Sequence, residues 1–208
     1  MFENRTDAGR RLAAELLTRG VEADVVLAIP RGGLPIGRAV ADELDAPLDV
    51  VVAEKLGAPS NPELAIGAVA GDGSRWLNED VIGQLGVSNT YLERVTEQEA
   101  ANAREKVDAY RGGEPMADLA GKRVVLVDDG VATGSTAIAC LRQIRAQNPA
   151  HVVFGAPVGP RDTFGVLESE ADEVVLLEVP SYFGAVGQHY RSFSQVSNQE
   201  ALTYLRRK

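Results

Sequence analysis

The 208-residue chain has one cysteine, two histidines and no long apolar run. A single thiol, Cys140, excludes an internal disulfide and a cysteine-based metal site. Cys140 lies on the apolar side of a predicted helix, so we expect it to be buried as a packing residue. No apolar stretch approaches the roughly 20 residues of a membrane-spanning helix, and the N-terminus does not resemble a signal peptide. We therefore expect a cytoplasmic protein that does not bind a membrane.

Positive charge is also scarce. The chain carries 21 basic and 30 acidic residues, a net charge of −9, and only four of the basic residues are lysine. This balance disfavours nucleic acid and anionic membranes as partners, because both would be repelled. An anionic substrate would need a local group of positive side chains inside a negative field.

The most informative segment is Val124–Thr136, which reads VVLVDDGVATGST. Its aliphatic run has no polar alternation and predicts a strand buried on both faces, while Ala137–Arg145 has helical spacing. The acidic pair Asp128 and Asp129 and a loop of small residues lie between them. This geometry directs backbone N–H groups and a helix N-terminus at a phosphate. The two carboxylates repel phosphate but accept hydrogen bonds from hydroxyls, so the pattern suggests a ribose 5-phosphate site.

This segment resembles the phosphoribosyl pyrophosphate (PRPP) signature of type I phosphoribosyltransferases. The resemblance implies that Asp128 and Asp129 hold the ribose hydroxyls. It also implies that the 5-phosphate is wrapped by a loop made of Gly130, Val131, Ala132, Thr133, Gly134, Ser135 and Thr136. A Walker-type nucleotide loop would need a lysine that this loop lacks. A plain turn gives little reason to place two uncompensated carboxylates at a sheet edge.

Two other loops resemble parts of the same site. Gly32 and Gly33 let the backbone approach an anion closely, and Arg31 adds a permanent positive charge, so this loop resembles the family's pyrophosphate loop. Lys55 follows the second predicted strand, Leu48–Ala53, and the resemblance gives it an electrostatic role at the leaving group. The alternatives are a tight turn with an exposed arginine and a solvated lysine at a strand end.

The segment after the last predicted strand mixes aromatic residues with glycine and resembles the hood of purine phosphoribosyltransferases. Phe183 would then stack on an acceptor base and Tyr182 would flank it. The spacing differs by one residue from the purine pattern, and an aromatic patch closing a small apolar cluster remains an open alternative. Ala132 occupies the position at which 6-oxopurine enzymes carry an additional acid, so the loop is closer to the adenine- and orotate-type versions.

Alternating strands and helices predict an α/β fold with a doubly wound parallel five-stranded sheet. The resemblance implies the strand order 2-1-3-4-5 and a single phosphoribosyltransferase-like domain over residues 1–208, with a small hood and lid subdomain. Three additions are expected. The first is a lid at about 57–77, irregular over 57–73 except that Ala65–Ala70 could form one arm of a hairpin with Arg75–Leu77. The second is a polar helical insert at about 78–113, broken near Gly86, and the third is a C-terminal hood at about 180–208, in which a capping box from Ser197 to Glu200 starts a terminal helix.

The resulting hypothesis is a Mg²⁺-dependent phosphoribosyltransferase of nucleotide salvage. It would transfer the 5-phosphoribosyl group from PRPP to a nitrogen acceptor, expected to be a nucleobase, and release pyrophosphate. Mg²⁺ is expected to bind mainly through PRPP and pyrophosphate oxygens rather than a protein metal site, and a homodimer is expected. The alternative is a non-catalytic PRPP-binding regulatory or partner-binding module on the same fold. A PRPP synthetase-like kinase would need an ATP site that the sequence does not reveal.

Overall fold

Strands and helices alternate along most of the chain. The computed structural model describes residues 1–114 and 116–206. In chain order the elements are α1 (Arg5–Thr18), β1 (Val25–Ala28), α2 (Gly33–Glu43), β2 (Leu48–Val50), β3 (Ala53–Ala58), β4 (Asn61–Ala70), β5 (Arg75–Leu77), α3 (Glu79–Leu85), α4 (Asn89–Arg111), β6 (Arg123–Val127), α5 (Ser135–Arg145), β7 (His151–Val158), α6 (Arg161–Leu167), β8 (Glu173–Glu178), a 3₁₀ helix (Val186–His189) and α7 (Asn198–Arg206).

The central sheet has the order β2-β1-β6-β7-β8. All of its strand pairs are parallel. Numbered along the sheet's own strands, this is the order 2-1-3-4-5, so the predicted α/β fold and strand order are confirmed. The order reverses between β1 and β6, which is where ligands bind in open parallel sheets.

Each central strand fills two apolar layers, which explains why the strand sequences lack polar alternation. Val26 and Val125 belong to a layer shared with α1 and α2. Their neighbours Leu27 and Val124 belong to the opposite layer, shared with α5. Cys140 is fully buried in that second layer, so its expected packing role is confirmed, and burial raises the pKa of its thiol well above the ordinary value.

Most of the segment expected to be irregular forms regular structure instead, and the hairpin expected between Ala65–Ala70 and Arg75–Leu77 is present as β4 and β5. β3, β4 and β5 build a separate three-stranded antiparallel sheet. The expected second strand is also shorter than predicted, because β2 ends at Val50 and the chain then enters β3. Glycine, proline and polar residues obscure the strand pattern locally, and packing from a distant helix makes these strands stable.

That helix is the polar insert. The predicted break falls at Gly86, which ends α3 at a φ of 61°, and α4 begins at Asn89. Only a narrow stripe of α4 is buried, and its Leu92 and Val95 join Leu56 and Ile66 of the small sheet in a third apolar cluster. The rest of α4 is polar because it faces solvent or, near its C-terminus, the cavity described below.

The two ends of the chain meet. Phe2 forms a bridge with Tyr190, and their rings are 5.4 Å apart. The predicted capping box at the start of α7 is present: the Ser197 amide donates to Glu200 Oε2 at 2.8 Å, and the Glu200 amide donates to Ser197 Oγ at 3.2 Å. Among the described residues, no helix combines the length and apolar character needed to cross a bilayer.

Candidate active site

The carboxyl ends of β1 and β6 form the floor of the site. Ala28 pairs with Val127, so the loop after β1 and the acidic pair after β6 emerge side by side. A cavity of about 950 Å³ opens above them and is lined by residues 29–32, Asp128, Asp129 and Thr136. The reversal point, the glycine loop and the acidic pair therefore coincide, as the sequence predicted.

The acidic pair is held by contacts from both ends of the chain. The Asp129 backbone amide donates to Asp128 Oδ1 at 2.8 Å, which fixes the Asp128 side chain. Arg5 Nε donates to Asp129 Oδ2 at 2.6 Å, and the Tyr190 hydroxyl donates to the Asp129 carbonyl at 2.5 Å. Both partners of the Arg5–Asp129 ion pair are largely shielded, with side-chain exposures of 11% and 14%.

Burial is the main influence on the pKa of both carboxyl groups. It raises the pKa of Asp128 well above its usual value, and the neighbouring Asp129 charge raises it further. Burial also raises the pKa of Asp129, and the Arg5 hydrogen bond and charge offset part of that rise. Two adjacent acids in a low-dielectric position resist simultaneous ionisation. Arg5 is the cation that opposes this effect.

The loop after β1 requires glycine because it touches the acidic pair. A Cβ on Gly32 would lie 2.0 Å from Asp129 Oδ2, and one on Gly33 would lie 3.0 Å from the Val127 carbonyl oxygen. The Pro30–Arg31 peptide is cis. Arg31 lines the cavity, and its Nη1 lies 3.4 Å from Asn198 Oδ1 of α7. Arg31, Gly32 and the acidic pair are thus brought together.

The loop between β6 and α5 has the form of an anion cradle. Gly134 precedes α5 at a φ of 80°, a backbone conformation that a residue with a Cβ rarely adopts. Glycine has no side chain with which to cap the helix, so the first N–H groups of α5 are available to an anion. Thr133 Oγ1 and Ser135 Oγ are 3.1 Å apart at this helix end. The remaining loop residues of the prediction (Gly130, Val131 and Ala132) lead into it from the acidic pair.

The sequence suggested that Lys55 lies at the end of a central strand. Instead, Lys55 reaches the cavity from β3 of the small sheet. Its Nζ lies 3.4 Å from both the carbonyl and Oε2 of Glu63, and Glu63 is 91% exposed. Because this ion pair is long and Glu63 is solvated, the pair holds the Lys55 ammonium weakly, and the ammonium can turn towards a ligand. Glu54, beside it on β3, is paired with Lys106 of α4 at 2.6 Å.

The opposite wall of the cavity comes from the polar insert and from α7, which lies within the range expected for the C-terminal hood. Lys106, Ala109 and Tyr110 of α4 and Asn198 and Leu202 of α7 line it. Burial raises the pKa of the Tyr110 phenol, and the positive charges of Arg31 and Lys106 counteract that rise. Tyr110 is the only aromatic side chain among the described residues that line this cavity.

Tyr182 and Phe183 are not among the residues that line the cavity. Tyr182 is 84% exposed, and Phe183 stacks on His189 with 5.6 Å between ring centroids. His189 Nδ1 in turn lies 3.3 Å from Glu178 Oε2. Phe183 is half-buried against the apolar layer shared with α1 and α2, which matches the alternative of an aromatic closing an apolar cluster, and Tyr182 projects into solvent.

One signal could have identified Arg5 from the sequence. Asn4 caps α1 and accepts from the Asp7 amide at 3.0 Å, so Arg5 opens the helix. A cation is disfavoured there because the helix N-terminus carries partial positive charge. An arginine in such a position indicates an acidic partner elsewhere in the chain.

The donor set bears on metal binding. Among the described residues, no group of three or more His, Cys, Asp or Glu side chains could hold a metal ion. Two of the cavity's carboxylates are already engaged, Asp129 with Arg5 and Glu54 with Lys106. A divalent cation in this cavity would therefore need most of its oxygen ligands from the substrate and from water.

Comparison with known proteins gives the family. The profile of the phosphoribosyl transferase domain matches residues 2–190, and the chain belongs to this family. A Mycobacterium tuberculosis H37Rv protein, provisionally named a phosphoribosyl transferase, is 42% identical over 207 residues, which cover 100% of this chain and 47% of the relative. The chain thus spans about half the length of the curated relatives it matches.

Solved structures agree on the fold. The crystal structure of TT1426 from Thermus thermophilus is 40% identical, with a TM-score of 0.83, and the match covers 99% of this chain and 97% of that one. The adenine phosphoribosyltransferase of Giardia lamblia, solved with 9-deazaadenine, has a TM-score of 0.50 at 11% identity, covering 86% and 80% of the two chains. At that identity the likeness concerns the fold alone. The predicted family and the type I phosphoribosyltransferase fold are confirmed.

Replacing Gly32 with alanine tests the close approach of the loop to the acidic pair. Because the new Cβ would overlap Asp129 Oδ2, the loop must move away, and we expect turnover in the reaction proposed below to fall roughly a hundredfold. Gly165→Ala on α6 is the matched control, because a Cβ added at Gly165 would have no atom within 4 Å. Steady-state kinetics with circular dichroism checks this, and unaltered turnover by the Gly32 variant would contradict it.

Asp128→Asn should stabilise the fold while damaging the site. The pKa of Asp128 is raised in the folded chain, so the folded chain retains a proton that the unfolded chain releases. The contribution of Asp128 to stability is therefore present below the ordinary pKa and is lost as pH rises through the folded value. Asparagine removes that loss and keeps Oδ1 as an acceptor for the Asp129 amide. We expect the melting temperature to exceed that of the unsubstituted protein by more at about pH 8 than at about pH 4.

Asp118→Asn is the control for this stability experiment. Asp118 is exposed, and its Oδ1 accepts a local backbone hydrogen bond from the Ala120 amide at 3.0 Å. Differential scanning calorimetry at both pH values gives the comparison. An Asp128→Asn gain that does not grow with pH, or that Asp118→Asn equals, would refute the interpretation.

Proposed function

We propose that this chain transfers the 5-phosphoribosyl group from PRPP to a nitrogen acceptor, with release of pyrophosphate. The observation that carries the proposal is the position of Asp128 and Asp129 between two glycine-containing loops at the reversal point of the sheet. One loop leads to the uncapped N-terminus of α5 and the other carries Arg31. In this arrangement an acidic pair lies between two anion-binding loops, and the matching ligand is a sugar that carries an anionic group on each side.

Each part of PRPP has a complementary group. The ribose hydroxyls donate to Asp128 and Asp129 in charge-assisted hydrogen bonds. The 5-phosphate accepts from the loop of residues 130–136 and the first turn of α5. The pyrophosphate lies towards Arg31 and the amides of Gly32 and Gly33, with Lys55 within reach from β3.

The chemistry needs no protein nucleophile. As the bond from the anomeric carbon to pyrophosphate breaks, the sugar becomes cationic and the leaving group gains negative charge. Asp128 and Asp129 stabilise the cationic sugar, while Arg31, the loop amides and Lys55 stabilise the anion. Mg²⁺ bound to substrate oxygens would add positive charge to the leaving group. The acceptor nitrogen then forms the new bond to the anomeric carbon and gives up its proton to the pyrophosphate oxygens or to solvent. Water must be kept from the anomeric carbon during this step.

We propose that the acceptor lies against Tyr110. The wall formed by α4 and α7 offers one aromatic ring, the aliphatic Leu202, and the polar groups of Asn198 and Lys106. A flat ring with a few polar neighbours suits a planar heterocycle, so a nucleobase is the favoured acceptor. Phe183 would have to move to reach it. The homodimer and the cytoplasmic location stay predictions.

PRPP binding and pyrophosphate release test the proposed function together. Titration calorimetry with PRPP and Mg²⁺ should give a binding heat, and a pyrophosphate-release assay across purine and pyrimidine bases should identify an acceptor. The Asp128→Asn plus Asp129→Asn protein should lose at least roughly a hundredfold in turnover, because it cannot offset charge on the sugar. PRPP binding without pyrophosphate release for any base would favour the non-catalytic module, and no binding at all would reject the assignment.

The acceptor position is tested with Tyr110 and Phe183. With the base found in the screen, Tyr110→Ala should raise the acceptor KM roughly tenfold or more, as expected for a lost stacking surface, while PRPP binding is retained. Tyr110→Phe keeps the ring and should preserve the KM. If instead Phe183→Ala raises the acceptor KM and Tyr110→Ala does not, the hood of the purine-type resemblance is the acceptor site.

A further inference from the structure

Arg5 makes three contacts that converge beside the acidic pair. Its Nε binds Asp129 Oδ2 at 2.6 Å, its Nη1 donates to the Ser194 carbonyl at 2.6 Å, and its guanidinium lies 3.8 Å from the centroid of the Phe193 ring. Asp129 and Ser194 are far apart in the sequence, and Arg5 comes from the opposite end of the chain. A planar guanidinium can satisfy all three directions at once, which a lysine ammonium cannot.

The position of Arg5 is unfavourable by local rules. It opens α1, where the helix dipole disfavours a cation. The chain retains it there although its side chain is only 11% exposed and so is largely removed from water. The compensation comes from Asp129, which would otherwise be an acid in a shielded position next to a second acid.

We propose that Arg5 is a positioning residue of the PRPP site, which holds the Asp129 carboxylate charged and oriented to accept a ribose hydroxyl. The inference rests on the proposed function, because it presumes that Asp129 binds the sugar. Arg5 occupies Oδ2, so Oδ1 is the oxygen that accepts the hydroxyl. The contacts to Phe193 and Ser194 fix the guanidinium and thereby fix the carboxylate.

The charge environment of Asp129 indicates the consequence. Asp128 lies beside it, Arg5 faces it from α1, the Tyr190 hydroxyl faces its carbonyl from the C-terminal segment, and Arg31 stands on the adjacent loop with its guanidinium directed to Asn198. Arg5 is the only cation among the described residues with a recorded ion pair to Asp129. Without it, the pair should take up a proton at higher pH.

The experiment compares Arg5→Gln with Arg5→Lys and Arg11→Gln. Arg11→Gln is the matched control because it also removes one positive charge from α1. Arg11, however, pairs with Asp7 at 3.0 Å and lies 5.4 Å from the centroid of the Phe2 ring. PRPP affinity is measured by calorimetry with Mg²⁺ across the pH range in which the unsubstituted protein stays folded. The Asp129 carboxyl is followed over the same range by ¹³C NMR, without ligand.

We expect the acid limb of PRPP binding to move upward by about one to three pH units in Arg5→Gln, as for a carboxylate that loses an adjacent cation. The NMR midpoint of Asp129 should move with it. Arg5→Lys should restore part of the shift, and Arg11→Gln should match the unsubstituted protein. A role confined to tying the chain ends together would lower the melting temperature of Arg5→Gln and leave both pH profiles in place, which would overturn the proposal.

The failure of the proposed function has a different signature. It would appear as no PRPP binding by the unsubstituted protein at any pH. The NMR titration does not depend on PRPP, so an unchanged Asp129 midpoint in Arg5→Gln overturns the role of Arg5 in either case. If Arg5→Gln does not fold, Arg5→Lys carries the same comparison, with a smaller upward shift supporting the proposal and an unshifted profile rejecting it.

Discussion

The site depends on holding two neighbouring carboxyl groups together in a shielded place. Asp128 and Asp129 follow a strand that is buried on both faces, so the backbone delivers them to the edge of the core, where water is scarce. Adjacent acids in such a place favour sharing a proton. The structure opposes this through Arg5, and the Asp129 amide gives Asp128 a hydrogen bond. Both contacts prepare the acidic pair to accept hydrogen bonds from the hydroxyls of a ligand.

The same requirement explains why the ends of the chain converge. Arg5 comes from the first helix and Tyr190 from the segment after β8, and both bind Asp129. The bridge between Phe2 and Tyr190 holds the two ends together beside the sheet. Folding of the acidic pair into its final form therefore requires both termini in place. A central motif that is local in sequence thus depends on residues 124 and 61 positions away.

Much of the fold could be predicted because the central strands must fill two apolar layers. Val25 to Ala28 and Val124 to Val127 are aliphatic for that reason, and such runs predict a parallel sheet. The signature loop was also predictable, since its strand, acidic pair and helix are contiguous. The hairpin of β3 and β4 was not, because its apolar residues are separated by glycine and polar residues and are covered by α4, about 30 residues away. Lys106 and Tyr110 reach the cavity, and Arg5 reaches Asp129, only through tertiary packing. Nothing adjacent to these residues in the sequence indicates their partners, apart from the unusual charge at the start of α1.

Departures from local rules are concentrated around one cavity. They include two adjacent shielded acids, a cation at the N-terminus of a helix, an uncapped helix start at Gly134 and a loop so close to Asp129 that only glycine fits at position 32. Each costs folding free energy, whereas the central strands follow the ordinary pattern of buried aliphatic residues. A sequence that is otherwise locally consistent retains such conflicts where function requires them. Their common position at the reversal point of the sheet is therefore an argument for a binding site that does not depend on the family resemblance.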